Sequence, residues 1–115
     1  MANKYNVRRV DQAAEEHNMT DAQTRALHVW VRDVGPSGEA WEDGQINVEL
    51  FIERYRGHYA SFRAYSDEYI EETGLLNGIP EQVAMHFDYQ SYADDLEHEY
   101  TVLEDDEPGV FIFRD

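Results

Sequence analysis

Four polar side chains divide this chain into helices. Thr20, Asn47, Ser61 and Asp88 each precede a stretch whose apolar residues recur with helical spacing. Each is of a type that accepts hydrogen bonds from the free backbone N–H groups at a helix start. The first signal is the fullest: Thr20-Asp21-Ala22-Gln23 has the S/T-x-x-E/Q form of a capping box. Behind it Ala22, Ala26, Leu27, Trp30, Val31 and Val34 fall at i, i+4, i+5, i+8, i+9 and i+12, one stripe of a helix that Gly35-Pro36 stops. Residues 28–32 (HVWVR) also read as a strand, and the capping box favours the helix. Residues 7–17 read as a shorter helix before it, and 35–45 (GPSGEAWEDGQ) as a loop with Trp41 its one bulky residue.

Asn47 is placed to cap a helix over 48–56, with Phe51, Ile52 and Tyr55 inward and Gly57 as a left-handed stop. After Ser61, the residues Phe62, Tyr65, Tyr69 and Ile70 form a buried face, and Gly74 ends the helix. Pro80 opens a short helix through Met85. Asp88 caps a helix over 89–99 with Tyr92, Ala93 and Leu96 inward. The chain closes with Tyr100-Thr101-Val102-Leu103 and Val110-Phe111-Ile112-Phe113 around an acidic turn ending in Pro108-Gly109, which predicts a hairpin. The fold class is α+β: a small, mainly helical domain closing with a short antiparallel β-hairpin. Residues 1–46 form a helical N-terminal segment and loop, and 47–115 an acidic α+β portion, expected to make one compact unit.

Charge is distributed unevenly along this frame. Residues 64–115 carry fifteen carboxylates and a single basic side chain, Arg114, so about −14 of the formal −16 sits there. Such an imbalance speaks to partners and association rather than to fold. It excludes an ordinary nucleic-acid binder, because phosphates would be repelled. It favours a cationic partner, and the strongest cationic grooves in a cell are built to hold DNA. Salt adaptation would also raise acid content, but it acts on a whole surface, and residues 1–63 are close to neutral, with ten acids against eight Lys and Arg. Eight Tyr, five Phe and two Trp argue against disorder. With no cysteine there is neither a disulfide frame nor a thiolate site. The N-terminus has no apolar signal region and no run approaches a membrane span, so the expectation is a cytoplasmic protein that engages no membrane.

The acids fall into three groups. Asp67, Glu68, Glu71 and Glu72 share the helix face opposite Phe62, Tyr65 and Tyr69, with no basic residue nearby in sequence to relieve them. Asp88, Asp94, Asp95, Glu97 and Glu99 span eleven helical steps of ~1.5 Å, about one charge per ~3–4 Å of axis. One strand of B-DNA carries a charge every ~3.4 Å. Glu104, Asp105, Asp106 and Glu107 add a four-charge turn. An acidic helix face is ordinarily just solvated. Two such helices and a turn without interspersed Lys depart from the usual mixed surface. The turn has acids but not the alternate spacing of a calcium loop, so no dedicated metal site is expected. His17, His28, His58, His86 and His98 include no i, i+4 pair, and no P-loop, G-x-S-x-G or triad is present, so neither an enzyme nor a cofactor is predicted.

Phe51-x-x-x-Tyr55-x-Gly57-x-Tyr59, Gly74-Leu75-Leu76-x-x-Ile79-Pro80, Phe87-Asp88-Tyr89-x-x-Tyr92-Ala93-x-Asp95-Leu96 and Gly109-Val110-Phe111-Ile112-Phe113 together resemble the C-terminal part of the ArdA antirestriction proteins, over roughly 47–113. Residues 74–96 look like the family's antirestriction motif, while 1–46 offer no match to it. The resemblance implies an acidic, usually dimeric DNA mimic, carried by a phage or mobile element, that occupies the DNA-binding groove of a type I restriction-modification enzyme or related defence protein. The thirteen acids of the three groups would then stand in for phosphates. Leu75, Leu76, Ile79, Pro80, Phe87, Tyr89, Tyr92 and Leu96 would form the buried scaffold that spaces the acidic helices. The alternative is an acidic interaction module docking on a basic partner that is not a DNA enzyme; duplex DNA should displace a mimic and not an adaptor.

Overall fold

All four predicted caps open helices. The computed structural model describes residues 6–34, 40–42 and 44–115, and among these the order is α1 (Val7–Glu16), α2 (Asp21–Val34), β1 (Trp41–Glu42), β2 (Gln45–Ile46), α3 (Val48–Arg54), β3 (Tyr55–Tyr59), α4 (Phe62–Thr73), α5 (Glu81–Ala84), α6 (Tyr89–Glu97), β4 (Tyr100–Glu104) and β5 (Val110–Arg114). The capping box forms in both directions: Gln23 N–H donates to Thr20 Oγ1 at 3.2 Å and Thr20 N–H to Gln23 Oε1 at 2.8 Å. Asn47, Ser61 and Asp88 accept from the backbone of Leu50, Ala64 and Ser91 at 3.1, 3.1 and 3.0 Å. Gly74 ends α4 in the left-handed conformation at φ 68°. Residues 28–32 are helical, and the Gly35-Pro36 stop lies outside the described residues.

Four expectations from sequence are corrected. The stretch 48–56 is not one helix: α3 ends at Arg54, and Tyr55 turns extended at φ −69°, ψ 126° to begin β3. Gly57 is therefore no helix stop. It sits at φ 130° inside the strand, where the register shifts between Tyr55 and Gly57. Ile52, read as inward, is 57% exposed. Within the predicted loop 35–45, Trp41 and Glu42 pair antiparallel with Ile46 and Gln45.

β3 turns the expected hairpin into a three-stranded antiparallel sheet ordered β3-β5-β4, in which β5 pairs with both neighbours. As the central strand β5 has both edges paired, and here both of its faces are covered as well. Successive side chains point to opposite faces, so Phe111 and Phe113 enter one core while Ile112 enters another. The first core also holds Val10, Ala14, Leu27, Trp30 and Phe51, from α1, α2 and α3. Trp30, Phe51 and Phe113 meet there with ring centroids 5.7–6.4 Å apart. The second gathers Phe62, Tyr65, Ala93 and Tyr100, from α4, α6 and β4. The near-neutral helices thus cover one face of the sheet and the acidic helices the other. The result is elongated. Its radius of gyration is 16.8 Å, where a compact chain of this length has about 13 Å, and its extents are 54 × 29 × 25 Å.

Candidate functional site

The two acidic helices pack against each other through apolar faces, which turns their carboxylates outward. Glu68, Glu71 and Glu72 on α4 and Asp94, Asp95 and Glu97 on α6 are exposed, as are Glu104 at the end of β4 and Asp106 and Glu107 beyond it. A polar bridge ties the pair. Arg63 Nε donates to Asp67 at 2.9 Å, its Nη1 to Gln90 Oε1 at 3.2 Å, and Gln90 Nε2 to Asp94 at 2.8 Å. The Arg63 guanidinium also lies 5.6 Å from the Tyr89 ring centroid. The expectation that nothing basic relieves the first acidic group is corrected by this one residue, four positions before Asp67. On the other flank of α4, the Tyr59 hydroxyl donates to Glu68 at 2.8 Å. Burial and that carboxylate together push the Tyr59 phenol up to about 12.

The even charge spacing read along 88–99 does not hold, because α6 itself carries only Asp94, Asp95 and Glu97. Asp88 is its N-cap, accepting from the Ser91 backbone and hydroxyl. Those two hydrogen bonds hold its carboxyl below the usual range. Glu99 lies past the helix end and pairs with Arg114 at 3.1 Å.

Asp105 is the clearest departure. The sequence places it among the phosphate surrogates of a four-charge turn, yet its side chain is 1% exposed. Arg25 of α2 grips it in a fork, Nε to Oδ1 at 3.1 Å and Nη2 to Oδ2 at 3.1 Å. His58 Nε2 of β3 stands 3.1 Å from Oδ2, in ion-pair range but without the alignment of a hydrogen bond. Burial alone would raise the Asp105 carboxyl. The Arg25 hydrogen bond and the backbone N–H groups of Glu107 and Asp106 outweigh it and hold the group below the ordinary carboxylate range. Asp105 is thus an anchor that pins the acidic turn to α2 and leaves Glu104, Asp106 and Glu107 outside. Gly109, at φ 116°, completes the seat: a Cβ there would stand 2.6 Å from His58 Cε1 and 2.8 Å from the Tyr59 carbonyl oxygen.

The expected scaffold is corrected in part. Leu75 and Ile79 are 43% and 38% exposed, and Pro80 is exposed as well, so they are not buried spacers. Leu76, Phe87, Tyr89, Tyr92 and Leu96 are half-buried, with Phe87 against Tyr89 and Tyr92 at 5.0 and 5.7 Å between ring centroids. Arg63, Gln90, Arg25 and His58 were missed by sequence reasoning. The i, i+4 spacing of Arg63 and Asp67 was the one available signal.

Away from the acids, a groove of about 400 Å³ between α1 and the β2–α3 connection is lined by Arg9, Gln12, Glu16, His17 and Ile46 among others. Among the described residues no group of three or more His, Asp or Glu side chains is placed to hold a metal ion. No described helix is long and apolar enough to cross a membrane.

The family model of the antirestriction protein ArdA matches residues 3–108. The chain belongs to the ArdA antirestriction family. The match begins well before the quoted motifs, so it takes in the N-terminal helices for which residue-by-residue reading found no counterpart. No curated protein and no solved structure matches the chain. In this ArdA chain the N-terminal helices supply Arg25, which seats the acidic turn.

Proposed function

We propose that this ArdA-family protein is a non-catalytic DNA mimic that occupies the DNA-binding groove of a type I restriction-modification enzyme in the host cytoplasm, in competition with DNA. A phage or mobile element would gain from carrying it. The observation that carries the reading is an exposed surface of carboxylates on α4, α6 and the 104–107 turn, held in place by the Arg63–Gln90 bridge and the Arg25–Asp105 fork. A mimic needs charges at fixed positions, because a mobile acidic tail would lose ordering entropy on binding. The elongated outline, 54 × 29 × 25 Å, adds support, since it suits a body that lies along a groove. Charge complementarity of this kind chiefly speeds association and selects partners, and it weakens with salt.

The test is competition. In gel shifts with a purified type I methyltransferase core, the chain should bind stoichiometrically and added duplex should release it. The pair Glu71→Gln and Glu72→Gln should weaken binding while the melting temperature holds or rises, since like charges are removed. A ternary complex of chain, enzyme and duplex would refute groove occupancy and leave an acidic adaptor.

A further inference from the structure

Between α4 and α6 the chain displays apolar side chains instead of burying them. Leu75, Ile79, Val83 and Met85 are 43, 38, 60 and 73% exposed, and α5 has no buried residue. The segment is nonetheless built rather than loose. Leu75 N–H donates to Ile70 C=O, Asn77 to Gly74, Ile79 to Leu76, Met85 to Glu81 and Phe87 to Ala84, all at 2.9–3.3 Å. Gly74 and Gly78, at φ 68° and 80°, supply the left-handed turns. The backbone is satisfied by its own local bonds, so the outward aliphatic side chains are not needed to hold its shape. Apolar side chains grouped on one ordered segment and rimmed by charge mark a contact surface.

The rim says what covers it. Glu71, Glu72, Glu81 and Asp88 flank the segment, all exposed, while Arg63, near Asp88, is already engaged by Asp67, Gln90 and the Tyr89 ring. Two copies docked through it by a two-fold axis would set these carboxylates against their own counterparts. A cationic protein surface pairs with them instead. We infer that Leu75, Ile79, Val83 and Met85 form the apolar contact of the interface with the cationic groove, an anchor beside the phosphate surrogates; this rests on the function proposed above. The contact has a physical consequence. Charge pairs at the rim are screened by salt, whereas apolar burial is not. The anchor therefore retains the protein partner at ionic strengths where the carboxylates alone would release it. It also distinguishes this ligand from DNA, whose phosphate backbone offers no such aliphatic surface.

The experiment measures affinity for the purified type I methyltransferase core across a salt series, with wild type, Val83→Ser/Met85→Ser, and Glu71→Gln/Glu72→Gln. The apolar pair should weaken binding about tenfold by the same factor at every salt concentration, since it removes roughly two exposed apolar side chains from an interface. The acid pair should lower the slope of affinity against salt. Both positions of the apolar pair are exposed, so its melting temperature should match wild type; Met85→Gln alone gives the same reading if it does not. An apolar pair that binds like wild type at every salt overturns the anchor. A wild-type dimer in sedimentation that this pair dissolves assigns the segment to a second copy and also overturns it. Wild type that fails to bind the core at all removes the proposed function, and the anchor with it.

Discussion

Replacing Asp105 by Ala should cost more stability than removing any other carboxylate of its turn. The side chain is 1% exposed and meets the Arg25 fork at 3.1 Å on both oxygens, with His58 at 3.1 Å. Removing one member of a fully buried pair costs ~3–5 kcal/mol, because the partner is left charged and dry. Here Arg25 is 38% exposed and can be rehydrated, which moves the expected loss to about 2–3 kcal/mol. For a chain of this size that lowers the melting temperature by roughly 8–12 °C. Asp106→Ala and Glu107→Ala, at exposed positions, should stay within about 0.5 kcal/mol of wild type. The pH dependence follows from the sign of the shift. The folded-state carboxyl lies below its unfolded value, so its contribution is fully present above the ordinary carboxylate range and fades as pH falls through the folded value. Thermal and urea denaturation followed by circular dichroism at neutral pH and in acid would show the gap between wild type and Asp105→Ala closing on acidification. Equal melting of Asp105→Ala and Asp106→Ala at neutral pH would refute the anchoring role. So would a gap that persists once the carboxyl is protonated.

Two further outcomes are expected. Gly109→Ala should lower stability by ~1–3 kcal/mol, because the added Cβ meets His58 and the Tyr59 carbonyl at 2.6–2.8 Å in a left-handed backbone; urea midpoints unchanged from wild type would remove that argument. Phe113→Ala, at 1% exposure, should cost ~3–5 kcal/mol, whereas Leu75→Ala at 43% should cost under about 1 kcal/mol; equal losses in denaturant titrations would mean that the apolar segment is part of the core after all.

Local chemistry made the helices legible without any structure. A capping residue and a helical apolar period act within a few positions, so Thr20, Asn47, Ser61, Asp88 and the Gly74 stop could be read directly and all hold. The imbalance of charge is likewise a property of the sequence alone, and it pointed to a cationic partner before any fold was known. The same local signals could not say that 55–59 leaves the helix. Tyr55 and Gly57 become strand because β5, more than fifty residues later, offers the hydrogen-bonding edge and Phe113 and Phe111 the rings against which Tyr55 packs. Nor could spacing distinguish a solvated acid from a buried one. Glu104, Asp105, Asp106 and Glu107 are neighbours of the same charge, and only the approach of Arg25 from a separation of eighty residues selects Asp105 for the interior. Arg63 and Gln90, twenty-seven positions apart, become one bridge only when α4 and α6 pack. Caps and period act through bonds made within one or two helical turns, so the sequence by itself determined where helices begin. Which acids face solvent and which anchor the fold depends on contacts between distant segments, and those exist only once both faces of the sheet are covered.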